Sequence, residues 1–427
     1  MAGSVLRIAP RTQTPKGLRL HIGLFGKRNA GKSSLLNALT EQSIAIVSDV
    51  AGTTTDPVEK AAEFSPLGPV VFVDTAGIDD VGALGTLRVN RSFSVLAWMD
   101  IALIVTTAAT FGSLEEQLLE FTRKRQIPTI VVFNQADRAL PSAEQHEALR
   151  RRAIACVAVS AKMHIGLDIL REAIVQLAQE NTEAEKPLLD GLIKAGDTIV
   201  LVTPIDTGAP KGRLILPQVQ TVREVLDADA ECVLVRENRL AETLRNLRQD
   251  PAFVVTDSQV VRSVCATVPV RIPVTTFSIE MAHTKSNLVE LARGAASLNT
   301  LRPGNRVMIC ETCSHHPQPD DIGRKKLPRW LEEKVGGALR VDVVVGKDFP
   351  SDLSPYHAIL QCGGCVVTRR HMLSRLAAAK EQGVPMTNYG LAISLLQGVL
   401  ERALQLHPEA LAAYHEVLER AHGIRHG

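Results

Sequence analysis

The chain is 427 residues long, more than one ordinary domain holds, and length alone suggests about two to four. Hydrophobic residues make up 45% and charged residues 22%, a globular balance that excludes disordered, collagen-like and coiled-coil classes. With 48 basic against 46 acidic residues the net charge is +2, so overall charge gives no case for a nucleic-acid partner.

Met1 to Gly17 carries Arg7, Arg11 and Lys16 but no apolar signal-peptide core, and reads as a flexible tail. No run of about 18 apolar residues follows. The nearest, Ser94 to Phe111, is interrupted by Asp100 and several threonines. A cytoplasmic protein without membrane contact is expected.

Up to about residue 180, β-branched runs alternate with helical patterns. The expected strands are Leu18 to Phe25, Val70 to Val73, Ile101 to Val105, Thr129 to Phe133 and Ala153 to Val159, and Gly166 to Glu180 reads as a closing helix. Such alternation implies parallel βαβ units with helices on both faces of a sheet. Glu180 to Pro187 reads as a linker. From 187 to 275 shorter units follow, with strands expected at Thr198 to Val202, Cys232 to Val235, Phe253 to Thr256 and Val268 to Ile272. Helices are expected at Gln218 to Leu226, Leu240 to Leu247 and Ser258 to Val264. A last segment, 276 to 427, offers strands Arg306 to Ile309, Leu339 to Val345 and Ala358 to Leu360, then helices Leu391 to Leu406 and Glu409 to Ala421. The predicted class is α/β, with a P-loop domain over 1–180 followed by two smaller α/β domains, 187–275 and 276–427.

Gly26-Lys-Arg-Asn29-Ala30-Gly31-Lys32-Ser33-Ser34 follows the first strand and opens a helix, the context a P-loop requires. Backbone N–H groups and the helix N-terminus would surround phosphate charge, Lys32 would reach the β/γ oxygens, and Ser33 would offer its hydroxyl to Mg²⁺. Asp74-Thr-Ala-Gly77 ends the next long strand; Asp74 can hold the metal through water and the Gly77 backbone can sense a γ-phosphate. Asn134-Gln135-Ala-Asp137 ends another strand, where the Asp137 carboxylate can accept guanine N1–H and the 2-amino group, which adenine cannot supply. Ser160-Ala161-Lys162 closes the series, with a backbone amide placed for the guanine carbonyl oxygen. Four elements in order at strand ends predict GTP and GDP binding.

These motifs resemble the GTPase group that includes the tRNA-modifying protein TrmE and the ribosome-assembly protein Era. Ala51-Gly52-Thr53-Thr54-Thr55-Asp56 looks like their switch I. The resemblance implies that Thr54 supplies a hydroxyl to Mg²⁺ and that Asn29, with Thr53 nearby, binds an activating K⁺. Ile78 after the Asp-Thr-Ala-Gly run cannot orient a water, and no arginine finger is evident, so slow hydrolysis aided by a monovalent cation is expected, with Lys32, Thr54 and Gly77 at the catalytic centre. Gln135 stands where that group usually carries lysine; weaker affinity with preserved guanine preference is expected.

Of seven cysteines, Cys156, Cys232 and Cys265 lie scattered in apolar runs, whereas Cys310, Cys313, Cys362 and Cys365 form two Cys-x-x-Cys pairs just beyond expected strands. Spacing alone allows a structural Cys₄ zinc site or a thiolate-held iron–sulfur cluster, with zinc slightly ahead. The GTPase motifs, then Thr203 to Pro217 with its Gly-Ala-Pro-Lys-Gly loop, then Cys313-Ser-His315-His316 and Cys362-Gly-Gly-Cys365, resemble the HydF family of (FeFe)-hydrogenase maturation GTPases. Tyr389-Gly390 and the stretch Asp321 to Trp330 look like that family's third domain.

The resemblance implies a dimerisation domain over 187–275 and a 4Fe–4S-binding domain over 276–427. Cys313, Cys362 and Cys365 would hold the cluster, with Glu311 or His315 as a labile fourth ligand. Gln361 stands where the family commonly has histidine, and Cys310 is not part of the family motif. The implied role is a homodimeric scaffold that receives a diiron precursor made with HydE- and HydG-type radical-SAM maturases and delivers it to apo-hydrogenase. The rival readings are a TrmE- or Era-like RNA-modification or ribosome-associated GTPase, and a GTPase with a structural zinc module.

Overall fold

The computed structural model describes residues 17, 19–41, 49–50, 57–75, 83–181, 186–205, 214–312, 321–347 and 349–423. The chain divides into two compact units, 1–183 and 184–427. The first unit follows the order β1 (Leu20–Phe25), α1 (Lys32–Glu41), β2 (Asp49–Val50), β3 (Val58–Phe64), β4 (Gly68–Asp74), α2 (Ala83–Leu96) and β5 (Ile101–Thr106). It continues with α3 (Ser113–Lys124), β6 (Thr129–Phe133), α4 (Ala143–Arg151), β7 (Ala155–Ala158) and α5 (Leu167–Asn181). The seven strands form one sheet in the order β2-β3-β4-β1-β5-β6-β7. Neighbours from β4 to β7 pair in parallel, while β2 and β3 are antiparallel additions.

Strand alternation sorts this unit's apolar residues onto two faces. Ile22, Leu24, Ile130 and Val132 pack with Leu35 and Leu39 of α1 and Leu170 and Ile174 of α5. Phe25, Ile104, Val131 and Phe133 pack on the other face with Leu96, Leu118 and Leu149 from α2, α3 and α4. Both faces are covered, so the strand ends at the rim are where polar loops gather. The β3 strand, Val-Glu-Lys-Ala-Ala-Glu-Phe, has too little apolar alternation to be read as a strand from sequence.

The second unit begins with β8 (Thr198–Val202), α6 (Leu216–Asp227), β9 (Glu231–Val235), α7 (Leu240–Asn246), β10 (Phe253–Thr256), α8 (Val261–Thr267), β11 (Val274–Thr276), α9 (Phe277–Lys285) and α10 (Leu288–Ser297). It continues with β12 (Arg306–Glu311), α11 (Leu327–Val335), β13 (Arg340–Val345), β14 (Ala358–Gln361), α12 (Arg369–Glu381), β15 (Met386–Asn388), α13 (Tyr389–Leu396), α14 (Leu400–Ala403) and α15 (Pro408–Gly423). Two all-parallel four-stranded sheets result, β11-β10-β8-β9 and β13-β12-β14-β15. Each ends a strand on a helix cap: Thr276 accepts the amide of Ile279 and Asn388 that of Leu391. The Asn388 side-chain amide also donates to the Ser278 carbonyl at 2.8 Å, so the two caps are stitched together.

Two expected elements differ. Val268 to Ile272 is a loop and the edge strand is β11, Val274–Thr276; Pro269 within the run lacks the amide a parallel ladder needs. The helix expected from Leu391 to Leu406 breaks after Leu396, where Gly398 takes φ 73° and the chain restarts as α14. Among the described residues no helix is long and apolar enough to cross a membrane.

The β13-β12-β14-β15 sheet is packed so closely that a Cβ added at Gly294 on α10 would sit 1.9 Å from the Met386 carbonyl oxygen of β15. Gly294→Ala is therefore expected to lower the unfolding free energy by about 1–3 kcal/mol. Urea denaturation measures this, and an unchanged midpoint would contradict the close approach.

Candidate functional site

In the first unit, the loops after β1, β6 and β7 and the end of β4 at Asp74 meet at one rim of the sheet. After β1, the turn 26–31 carries Asn29 at φ 64° and Gly31 at φ 86°. Gly31 has no substitute, because a side chain there would strike the Asn134 amide at 2.3 Å. The Lys32 ammonium lies buried inside this turn and donates to the carbonyls of Gly26 and Lys27, both at 3.0 Å. An ammonium held in this way stands ready to exchange carbonyl contacts for phosphate oxygens. Ser34 is exposed.

Ser33 Oγ donates to Asp74 Oδ2 at 2.5 Å across the gap between α1 and the end of β4. Burial raises the Asp74 pKa, opposed by the Ser33 hydrogen bond and the Lys32 charge. Its other oxygen, Oδ1, is buried without a hydrogen-bond partner among the described residues. A half-satisfied carboxylate beside a hydroxyl fits a Mg²⁺ ion with its water shell, an all-oxygen environment.

Asn134 joins the phosphate side of the rim to the base side. Its amide donates to the Ala30 carbonyl at 2.9 Å, and its carbonyl accepts the Ala161 amide at 3.1 Å, all within a buried environment. Gln135, at φ 62°, donates to the Asn29 carbonyl at 3.1 Å, so the residue that departs from the usual lysine ties the same two loops together. Ser160 Oγ donates to Asp137 Oδ1 at 2.5 Å, and that bond holds the Asp137 carboxyl below its ordinary range. An ionised, outward-facing carboxylate is what a guanine edge with two donors requires. Lys162 is exposed beside it.

One anchor was not legible in the sequence. Glu115 of α3, fully buried, accepts from the Gly112 amide and pairs with Lys27 of the turn at 3.2 Å. Thr53, Thr54 and Gly77 lie outside the described residues.

In the second unit, β12 and β14 are parallel neighbours with Cys310 beside Gln361. The amide of Cys362 donates to the Cys310 carbonyl at 2.9 Å. The ladder thus delivers residue 312 and the Cys362-Gly-Gly-Cys365 loop to the same rim. Thr312 meets Cys362 Sγ twice, through its amide at 3.2 Å and its hydroxyl at 3.1 Å. Cys313 is the next residue in the chain; it, His315 and His316 lie outside the described residues. Cys310 is fully buried in the hydrophobic core, and burial pushes its thiol up to about 12, the behaviour of a small hydrophobe.

Cations close around this loop. Arg375 of α12 is fully buried and donates to Gln361 Oε1 and to the Gly346 carbonyl, both at 2.8 Å. The Gln361 amide in turn points to Cys362 Sγ at 3.5 Å. Lys285 of α9, also buried, donates to the Val367 carbonyl at 2.9 Å, and its charge opposes the rise that burial gives the Cys365 thiol. Glu311 is buried and holds Arg324 through its Oε2, at 3.1 and 3.0 Å. The Tyr389 hydroxyl crowds the same face of Gly323 as Glu311 Oε1, and it is buried without a partner among the described residues. Two cysteines on one loop, an amide-bonded sulfur, buried positive charge and an orphaned phenol fit an anionic thiolate-held cluster.

Of these groups, Arg375 and Lys285 were missed from sequence. The available signal for α12 was Thr368 before Arg-Arg-His, since Thr368 Oγ1 caps the amide of His371 at 3.3 Å.

Three family models match the chain. One described as 50S ribosome-binding GTPase matches residues 21–135. One described as the hydrogen maturase F dimerization domain matches 188–286, and one described as the hydrogen maturase F tetramerization domain matches 289–406. The chain belongs to the hydrogen maturase F family. Its hydrogen maturase F segments lie in the second compact unit and its GTPase segment in the first.

Among curated proteins, GTPase Der of Campylobacter hominis is 40% identical over 124 residues, 28% of this chain and 27% of that protein. The tRNA modification GTPase MnmE of Bordetella parapertussis is 37% identical over 172 residues, 40% of this chain and 36% of that protein. The chain thus spans about a third of the length of the curated relatives it matches. Among solved structures, Era of Aquifex aeolicus bound to GDP and AlF4⁻ aligns with TM-score 0.32 and 22% identity, over 53% of this chain and 97% of that one. The G domain of the T. maritima FeoB iron transporter aligns with TM-score 0.30 and 23% identity, over 38% and 99%.

Asn134→Ala removes the bond to Ala30 and leaves the Ala161 amide without its acceptor. A loss of about 1–3 kcal/mol in stability is expected, with GDP affinity falling about ten-fold or more. Thermal melts and fluorescent-nucleotide titration read both, and wild-type affinity would contradict the bridging role.

Proposed function

We propose that this chain is a GTP-hydrolysing scaffold that holds a 4Fe–4S cluster and delivers a diiron precursor to apo (FeFe)-hydrogenase. The observation that carries the reading is the contact between Thr312 and Cys362 Sγ. It sets Cys362 beside the residue that precedes Cys313, inside the segment matched by the hydrogen maturase F tetramerization model. Cys313, Cys362 and Cys365 would be the cluster's thiolates, and such a cluster supplies an iron that can exchange an outer ligand. Glu311 and His315 remain the candidates for that exchangeable position. Glu311 has one oxygen committed to Arg324 and the other beside Tyr389, which suits a weak ligand.

In the GTPase unit, Gly26, Asn29, Ala30, Gly31, Lys32, Ser33 and Ser34 would cradle the phosphates. Asn134, Asp137, Ser160, Ala161 and Lys162 would hold the base, with Asp137 selecting guanine. Ser33, Thr54 and Asp74 would hold Mg²⁺. Asn29 and Thr53 would place K⁺ where a finger arginine acts elsewhere, and Gly77 would face the γ-phosphate. GTP hydrolysis would time the hand-over rather than build the cargo. HydE- and HydG-type maturases would supply the diiron unit, and the chain would work as a homodimer or a higher assembly of such dimers, a reading supported by the dimerization and tetramerization matches. The alignments with Der and MnmE span 28% and 40% of this chain, too little to account for both its GTPase motifs and the cysteine loop.

Purified without oxygen and reconstituted with iron and sulfide, the chain is expected to bind about four irons and absorb broadly near ~400 nm. Cys362→Ser, which keeps an acceptor for Thr312, is expected to lose most of that iron, whereas Cys310→Ser keeps it. A colourless protein with one tightly held zinc would replace the cluster by a structural zinc module. Separately, K⁺ is expected to raise GTP turnover at least about ten-fold over Na⁺, worth ~1.4 kcal/mol of barrier. Asn29→Ala should remove that difference in a phosphate-release assay; equal rates in both salts for the native chain would refute a potassium site.

A further inference from the structure

A second group of metal-ligating side chains lies apart from the cysteines. Glu280 and His283 sit one helical turn apart on α9, on one face by their spacing. His407 comes from the bend between α14 and α15. One carboxylate oxygen and two imidazole nitrogens from these residues lie within 4.8 Å of one another. Glu280 is fully buried, and its two oxygens lie 2.9 and 3.1 Å from His407 Nε2. Thr275 Oγ1 donates to Glu280 Oε1, orienting the carboxylate from behind. The rings of His283 and His407 are 4.6 Å apart, tilted by 48°.

A buried Glu–His hydrogen bond would need only two of these residues. The third, His283, is the most open of the three to solvent and completes a two-histidine, one-carboxylate donor set. That set suits zinc, which takes His₂Glu with water in the remaining position. We propose that Glu280, His283 and His407 bind one Zn²⁺ ion per chain. Closing the donors from within 4.8 Å to the ~3.3 Å separation of a tetrahedral site requires a small swing of the open His283 side chain. The ion would fasten α9, inside the match to the dimerization model at 188–286, to position 407, one residue past the tetramerization match at 289–406. It would thus staple the two hydrogen maturase F segments within their compact unit, independently of the cysteine loop.

The test uses the full-length chain carrying Cys362→Ser and Cys365→Ser, stripped with chelator and titrated calorimetrically with Zn²⁺ alone. One equivalent with Kd below about 1 μM is expected, with a rise in melting temperature on metal addition. Adding His283→Ala should abolish that equivalent and the rise, while the metal-free melting temperature stays put because the Glu280–His407 pair remains. His283→Gln, closer in size, guards against a packing defect and should lose the ion as well. Failure of the parent to bind one such equivalent, or unchanged binding in both His283 variants, would overturn the site.

Discussion

Parallel pairing of β12 with β14, in the register that sets Cys310 beside Gln361, is the constraint on which the cysteine site depends. A parallel ladder sends both strands out of the sheet at the same rim. Residues far apart in sequence, Thr312 and Cys362, therefore come within hydrogen-bond distance without any loop having to travel. A slip of one residue in β12 would exchange the faces that Cys310 and Glu311 occupy and shift Thr312 away from Cys362. The buried cap of Asn388, bonded across to Ser278, holds β15 and thereby β14 in place.

Burial then sets the chemistry. Thiols on this rim are pushed toward the neutral form by desolvation, as the raised Cys365 shows. Positive charge and donated hydrogen bonds oppose that cost, and the fold provides Arg375 behind Gln361, Lys285 beneath the loop and the Thr312 amide on Cys362 Sγ. In the GTPase unit the logic is repeated with oxygen donors. Asp74 is raised by burial and half-satisfied, a state that a divalent cation relieves. At both rims the protein leaves buried polar atoms incompletely paired where a cation or cluster would complete them.

The sequence revealed those parts of the fold whose residues announce their own geometry. Gly31 in the turn before α1, Asp74 at a strand end and the Cys-Gly-Gly-Cys turn are such cases, because each chemistry needs a fixed residue type at a fixed place. Edge strand β3 was hidden by its Glu-Lys-Ala-Ala-Glu composition. The run Val268 to Ile272 looked like a strand because its β-branched residues mask what Pro269 forbids. Arg375 and Lys285 were illegible for another reason: a basic residue on a helix is ordinarily solvated, and only tertiary packing shows that these two are buried. The Glu280–His283–His407 group was equally hidden, since His407 joins the other two only through the packing of distant helices.

Delivery of a metal cargo, the role proposed for the cysteine site, is read out by transfer to a client. The chain, loaded with the diiron unit by HydE- and HydG-type maturases, is mixed with unmatured (FeFe)-hydrogenase and hydrogen evolution is measured. Delivery requires hydrogen production that depends on the loaded chain and disappears with its Cys362→Ser variant. Absence of hydrogen evolution from a protein whose 4Fe–4S cluster is fully assembled would contradict it.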